Sequence, residues 1–234
     1  MVNDFLSSKN EMRIEIKMPY NSEQIINVEK NLASIKQLKK HFPKRVVNSI
    51  YYDNLDLRIA KDNIDGLSKR FKVRIRHYDN IKDQNCNVEI KKKINKFGFK
   101  DTFSLDKKID EIDLKNLFSL KNKFYKELIK DSFVEKFITQ DFIQPQIKVS
   151  YLRDYFIYGK IRLTHDKKIN YTPYGANEFK TQKIVNDNFN VLEFKFDYKD
   201  LDEVRPILEK VKLKPKRFSK YLRGLSFFNS SIYL

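Results

Sequence analysis

The sequence predicts an α+β fold, one β-rich domain with inserted helices. Two observations carry it. The stretch Lys69–Tyr78 reads KRFKVRIRHY, so Lys72, Arg74 and Arg76 point one way and Phe71, Val73 and Ile75 the other. The same period of two recurs in four further segments. Arg13, Glu15 and Lys17 alternate with Ile14 and Ile16; Glu89, Lys91 and Lys93 with Val88 and Ile90. Lys160, Arg162 and Thr164 alternate with Ile161 and Leu163; Glu193, Lys195 and Asp197 with Leu192, Phe194 and Phe196. Second, apolar stripes at helical spacing lie between these strands, at Ile25–Leu38, Leu114–Leu128 and Leu201–Val211.

In chain order, residues 1–11 are polar and read as a loose terminus, leaving 12–234 as one domain. Met12–Pro19 is the first strand. Asn21 and Ser22 can cap a helix, with Gln24 three residues after Asn21, and Pro43 marks its end. Arg45–Tyr52, RVVNSIYY, is β-branched and aromatic and reads as a strand. A short helix is expected near Leu57–Lys61, then the central strand, then a turn over Asp79–Asn87 into Val88–Ile94. Asn95–Gly98 reads as a hairpin loop before Phe99–Leu105. Asp110–Phe142 reads as two or three helices. Gln146–Tyr155 and Tyr158–His165 read as strands joined through Phe156 and Ile157, with Lys167–Tyr174 pairing beside them. Val191–Tyr198 is a strand, Leu201–Val211 an amphipathic helix with Pro206 inside it, and Arg217–Phe228 a last short segment.

Composition narrows the partner. Lys plus Arg is 48 against 31 Asp plus Glu, a formal charge of +17, which favours an anionic ligand. One cysteine, Cys86, excludes an internal disulfide and fits a reducing, cytoplasmic setting. No apolar run reaches the roughly 18 residues of a membrane span, and the start of the chain has no signal-peptide pattern. There is no P-loop and no G-x-G-x-x-G, and with 5 glycines backbone phosphate cradles are scarce, so side chains must bind the anion. His41, His77 and His165 lack metal spacing, and Cys86 lacks a catalytic partner nearby. Most aromatic residues fall at core parity, so nucleic acid is not the expected partner.

Two arrangements satisfy the alternation. A sheet can bury its apolar face and show charge to water. Alternatively the strands close into a barrel with charge inside and helices outside. The clustering of arginine on strand faces and the carboxylates two residues from a cation (Glu15/Lys17, Glu89/Lys91, Glu193/Lys195) favour the second. A lumen of like charge is self-repelling when empty, and a phosphate chain with a divalent metal would relieve it.

These residues resemble the polyphosphate polymerase domain of the vacuolar transporter chaperone (VTC) proteins, in the CYTH or triphosphate tunnel metalloenzyme superfamily. The matching pieces run in order from residue 13 to 221. They are Arg13-Ile-Glu15-Ile-Lys17, Ser49-Ile-Tyr51-Tyr52-Asp53, Arg70-Phe-Lys72-Val-Arg74-Ile-Arg76-His-Tyr78, Val88-Glu89-Ile-Lys91, Val149-Ser-Tyr151-Leu-Arg153, Arg162-Leu-Thr164-His-Asp166, Leu192-Glu193-Phe-Lys195 and Phe218-Ser219-Lys220-Tyr221.

The resemblance implies an eight-stranded antiparallel β-barrel tunnel with a charged lumen, covered by helices. It implies a catalytic set of Lys17, Arg74, Arg76, Lys91, Arg153, Arg162 and Lys220. Lys72, Lys100, Tyr151, Lys195, Arg217 and Ser219 would bind further phosphates, since Arg forks and Lys point charges suit phosphate oxygens. Glu193 would hold the divalent metal, Mn²⁺ or Mg²⁺, with Glu89 and Glu15 as further candidates; Glu89 serves equally well as an ion-pair partner of Lys91. The implied substrates are ATP and inorganic polyphosphate. Tunnel triphosphatases carry E-x-E-x-K on the first strand, whereas here Arg13 takes the first glutamate position, which favours a phosphate-chain handler over a two-metal hydrolase. Family members also carry membrane spans and a separate inositol-phosphate-sensing domain. With neither here, translocation would need a membrane-protein partner in another chain.

The expected activity is therefore metal-dependent transfer of the γ-phosphoryl of ATP to a polyphosphate chain. The alternatives are a triphosphate hydrolase and a non-catalytic polyphosphate-binding module. One parity conflict stands out: if Tyr151 and Arg153 face the lumen, so should the apolar Ile147 and Val149, so that end should leave the charged section or bend near Pro145.

Overall fold

A computed structural model of the chain describes residues 13–80, 86–95, 97–105, 135, 143–174 and 183–233. The expected loose terminus at 1–11 and nearly all of the expected helices over Asp110–Phe142 lie outside the described residues. Among the described residues there are ten strands: β1 (Arg13–Asn21), β2 (Lys39–Lys40), β3 (Arg45–Asp53), β4 (Lys69–Tyr78), β5 (Asn87–Ile94), β6 (Phe97–Ser104), β7 (Gln144–Tyr158), β8 (Ile161–Pro173), β9 (Val185–Asn186) and β10 (Phe189–Asp197). Eight of them follow one path in the order β1-β10-β8-β7-β3-β4-β5-β6, with β2 beside β7 and β9 beside β8. Every pairing with a resolved register is antiparallel. The helices are α1 (Ile25–Ala33), α2 (Arg58–Ile64), α3 (Leu201–Val211) and α4 (Lys220–Ser226). The chain divides into two compact units, and the long strands β7 and β8 each contribute to both.

The first unit comprises 1–45, 152–169 and 187–218. Its sheet buries Met18, Tyr20, Ile161, Leu163, Leu192, Phe194 and Phe196 against Val28 and Leu32 of α1 and Val204, Ile207 and Val211 of α3. Each such fully buried large side chain contributes roughly 1.5–3 kcal/mol of transfer free energy. The reverse face keeps Glu15, Lys17, Arg162, Thr164, Glu193 and Lys195, as the period of two requires.

The second unit comprises 46–151, 170–186 and 219–234. Phe71, Val73 and Ile75 of β4 pack with Ile50, Tyr52, Val88, Ile90 and Ile59 of α2 in its core. The opposite face carries Arg70, Lys72, Arg74 and Arg76 of β4 and Lys91 and Lys93 of β5.

Several boundaries differ from expectation. The β7–β8 hairpin turns at Gly159-Lys160, with Gly159 at φ +53°, and not at Phe156-Ile157. The expected strand at Lys167–Tyr174 is instead the continuation of β8. The β5–β6 hairpin closes earlier than Asn95–Gly98, because Ile94 pairs with Phe97; Asn95 takes the left-handed φ of 54° that asparagine tolerates. Helix α1 ends at Ala33, well before Pro43, and Ile35 stays buried in the turn that follows. Helix α3 spans the expected Leu201–Val211 and continues through Pro206.

The parity conflict on β7 has a physical resolution within the second unit. The strand runs through Pro145. Ile147 is covered by α4, where a Cβ on Gly224 would stand 2.7 Å from the Ile147 methyl and 2.6 Å from the Tyr171 ring. Only a glycine lets the helix settle that close, so this apolar end of the face is roofed.

Candidate functional site

In the second unit, strand register lines the cations up in rows. Lys72 of β4, Lys91 of β5 and Lys100 of β6 stand directly opposite one another. The next row inward is Tyr51, Arg74, Glu89 and Thr102, and the next Ser49, Arg76, Asn87 and Ser104. Like charges directly opposite on neighbouring strands are destabilising, because their Cβ atoms lie only about 5 Å apart. Across β4, β5 and β6 this face holds Arg70, Lys72, Arg74, Arg76, Lys91, Lys93 and Lys100 against one carboxylate, Glu89.

Glu89 is 3 % exposed and sits at the centre of this charge. Arg74 Nε donates to its Oε2 at 2.8 Å, with Nη2 on the same oxygen; Lys100 Nζ donates to Oε1 at 2.9 Å, and Arg76 Nη1 is 3.7 Å away. Burial pushes its carboxyl up, but Arg74, Arg76 and Lys100 outweigh that and hold it well below the usual carboxylate range. Tyr51 reports the same field. Burial pushes its hydroxyl up, yet Arg74, Arg76 and Lys72 bring it below an ordinary phenol. A buried phenol is lowered only where the local potential is strongly positive.

The remaining candidates of this unit converge on the same face. Arg76 donates to Ser49 Oγ at 3.1 Å and to Tyr151 OH at 3.2 Å. Lys220 Nζ lies 4.7 Å from the centre of the Tyr151 ring, a cation–π contact. Lys72 Nζ donates to Ser219 Oγ at 3.1 Å. Two residues without a role in the sequence reading join them: Asp53, fully buried, and Tyr221, whose hydroxyl donates to Asp53 at 2.6 Å. The motif spacing marked both positions, but nothing in one sequence pairs residues 168 apart.

In the first unit, carboxylates are interleaved with the cations. Glu15 pairs across strands with Lys195, and Lys195 with Arg162; Lys17 pairs with Glu193, and Glu193 with Thr164. Lys17 Nζ is 2.8 Å from Glu15 Oε1, and Lys195 Nζ is 2.5 Å from Glu193 Oε1 and 3.8 Å from Glu15 Oε2. Burial and the neighbouring Glu193 push the Glu15 carboxyl up, while Lys17 and Lys195 bring it, on balance, below its ordinary value. A polar recess of about 190 Å³ is lined by Lys160, Arg162, Lys195, Phe196 and Asp197. Lys216 N–H donates to Lys17 O at 2.9 Å, and Lys17 Nζ to Phe218 O at 3.3 Å, so the segment carrying the exposed Arg217 runs along β1. Arg153 is held differently. Both ends of its fork donate to the fully buried Asp166, at 2.6 and 2.7 Å, so a direct phosphate contact would require that pair to open.

The donor chemistry sorts the three metal candidates. Among the described residues no three His, Cys, Asp or Glu side chains cluster as a metal cage. Glu89 is enclosed by Arg74, Arg76 and Lys100, which compete with any cation. Glu193 and Glu15 also meet cations, Lys17 and Lys195, but fit better because those lysine side chains are about a third exposed and can turn toward water, unlike the buried Arg74 and Arg76. Besides burial, Glu193 raises the Glu15 carboxyl electrostatically, and among the described residues the buried Thr164 hydroxyl across from Glu193 has no hydrogen-bond partner. One or two carboxylates with a hydroxyl, completed by phosphate and water, is an oxygen set that Mg²⁺ or Mn²⁺ accepts.

Residues 10–229 match the model of the VTC domain. No curated protein matches the sequence. Solved structures share the fold at low identity. A candidate adenylate cyclase from Bacillus halodurans aligns at TM-score 0.55 and 13% identity, covering 94% of this chain and 98% of that one. A protein from Pyrococcus horikoshii aligns at 0.51 and 11%, covering 90% and 98%. A chain of the Schizosaccharomyces pombe Mediator head module aligns at 0.51 and 8%, covering 88% and 98%. Together these give the antiparallel tunnel fold. Among the described residues no helix is long and apolar enough to cross a membrane.

Proposed function

The chain belongs to the VTC domain family, and on that premise we propose that it is a metal-dependent polyphosphate polymerase using ATP. The observation that carries this is the in-register row Lys72, Lys91 and Lys100 beside Arg74 and Arg76, with Glu89 as the only carboxylate of β4, β5 and β6 on that face. So many cations at one-strand spacing suit a ligand with many closely spaced negative charges.

In the proposed reaction a terminal oxygen of the polyphosphate chain attacks the γ-phosphorus of ATP. The bond from that phosphorus to the β–γ bridging oxygen breaks, and ADP leaves with the electron pair. Phosphoryl transfer asks for positioning and charge neutralisation more than for covalent help. Arg74 and Arg76 would fix the reacting phosphates through their forks, and Lys72, Lys91, Lys100 and Lys220 would neutralise the chain. Within the first unit, Arg162, Lys195 and Lys17 suit phosphate oxygens, and Glu193 with Glu15 and Thr164 would suit a divalent ion. Such an ion would supply positive charge against the charge that develops on a transferring phosphoryl group.

The test is incubation of the full chain with ATP and Mn²⁺, followed by separation of long-chain polyphosphate from free phosphate. Long chains are the expected product. Free phosphate alone would replace the proposal with a hydrolase, and tight polyphosphate binding without product would replace it with a binding module.

A further inference from the structure

We propose that Asp53 and Tyr221 form a clamp that sets the position of Ser219 and Lys220 over the cationic face of the second unit. What that position serves rests on the polymerase reading; the clamp itself does not.

Asp53 closes β3 on the same face as Ser49 and Tyr51. Its Oδ1 accepts the backbone N–H of Asn54 at 2.8 Å and of Ile59 at 2.9 Å. Its Oδ2 accepts Ala60 N–H at 2.8 Å and the Tyr221 hydroxyl at 2.6 Å. Four donors thus satisfy a fully buried carboxylate, and one of them comes from α4. The Tyr221 ring is fixed at the same time, stacked on Tyr51 with centroids 4.7 Å apart and planes at 15°. Tyr51 in turn accepts from Arg74 Nη1 at 2.8 Å.

The two residues before Tyr221 are the ones that reach the cationic face. Lys220 lies over Tyr151, which also accepts from Arg76. Ser219 receives Lys72 and caps α4 by accepting Leu222 N–H at 3.4 Å. Helix α4 is seven residues long, too short to hold itself in water. Apolar packing of Leu222 and Leu225, and Gly224 close against Ile147 and Tyr171, seat the helix from Leu222 onward, but none of these holds its start, which carries Ser219 and Lys220. A short charge-assisted hydrogen bond at one end of a stacked ring does fix it, because the bond is directional. Asp53 and Tyr221 are therefore positioning residues, acting through Ser219 and Lys220.

Tyr221→Phe keeps the ring and removes only the hydroxyl. The experiment is a double-mutant cycle with Lys220→Ala, reading binding of inorganic polyphosphate to the full chain, together with amide exchange of α4 in the free protein. Each single substitution is expected to weaken binding about tenfold, the effect of losing one charge-assisted contact. The double variant is expected to fall well short of the roughly hundredfold product, because the loss that runs through Lys220 is counted only once. The α4 amides of Tyr221→Phe should exchange faster while those of β4 do not. Losses that multiply to about a hundredfold, or α4 protection equal to wild type, would overturn the clamp. Faster α4 exchange in a protein that binds no polyphosphate would retain the clamp and reject the polymerase reading instead.

Discussion

Replacing Glu89 with glutamine probes the cationic face most directly. The substitution keeps shape and one acceptor oxygen and removes the charge. Arg74 and Glu89 are both buried, and at about 4 Å and an effective dielectric of about 20 their attraction is roughly 4 kcal/mol. Arg76 adds a further share at 3.7 Å, whereas Lys100, whose side chain is 46 % exposed, adds little. The glutamine oxygen can recover one hydrogen bond, about 1 kcal/mol. The net expectation is a loss of about 3 kcal/mol, within the 3–5 kcal/mol typical of breaking a buried pair. A domain stable by about 5–15 kcal/mol still folds after that loss. Urea unfolding followed by circular dichroism should show a lower midpoint at an unchanged slope. Polyphosphate should bind the variant more tightly than wild type, since β4, β5 and β6 have lost their one carboxylate on that face, and should restore part of the lost stability by mass action. A midpoint equal to wild type, or weaker polyphosphate binding, would refute the reasoning.

Acid should destabilise the protein in two separable steps. His165, buried against the Tyr20 hydroxyl, has its pKa lowered from 6.5 to about 4, chiefly by burial and then by Lys167. The unfolded chain therefore binds a proton that the folded chain refuses between pH 6.5 and about 4, and roughly 3 kcal/mol should be lost across that window. His165→Gln should flatten that slope in pH-dependent urea unfolding; an unchanged slope would assign it elsewhere. Glu89, lowered in its folded pKa, contributes above its unfolded value and fails only at lower pH, so Glu89→Gln should leave the upper window intact. Glu193→Gln should raise the Mn²⁺ concentration needed for half-maximal turnover about tenfold or more, while metal-free polyphosphate binding stays equal or tightens. Wild-type metal dependence in that variant would move the metal away from Glu193.

What the sequence revealed and what it concealed divide along a physical line. The faces of β4 were legible because one side is packed on Ile50, Tyr52 and Ile59 while the other carries charge, and a period of two reports that difference directly. The end of β7 was not. Phe156 and Tyr158 pack into the first unit's core, while on the other side Tyr155 meets Phe42 edge-on and stands beneath Arg45. A strand covered on both faces loses its alternation, so the sequence suggests a break at Phe156-Ile157 while the chain turns at Gly159.

Partners were concealed for a related reason. Alternation assigns Arg74 to a face, but only the β4–β5 register places Glu89 opposite it. That partner changes how an arginine on this face behaves. An arginine that serves only a ligand could be removed with little effect on folding. Arg74 is buried, donates to Glu89 and Tyr51, and through Tyr51 supports the stacked Tyr221. Its removal leaves a buried carboxylate short of its main partner, so Arg74→Ala should cost stability as well as activity. The same side chain thus holds the face together and leaves it short of negative charge, which is the condition under which binding a polyanion also stabilises the fold.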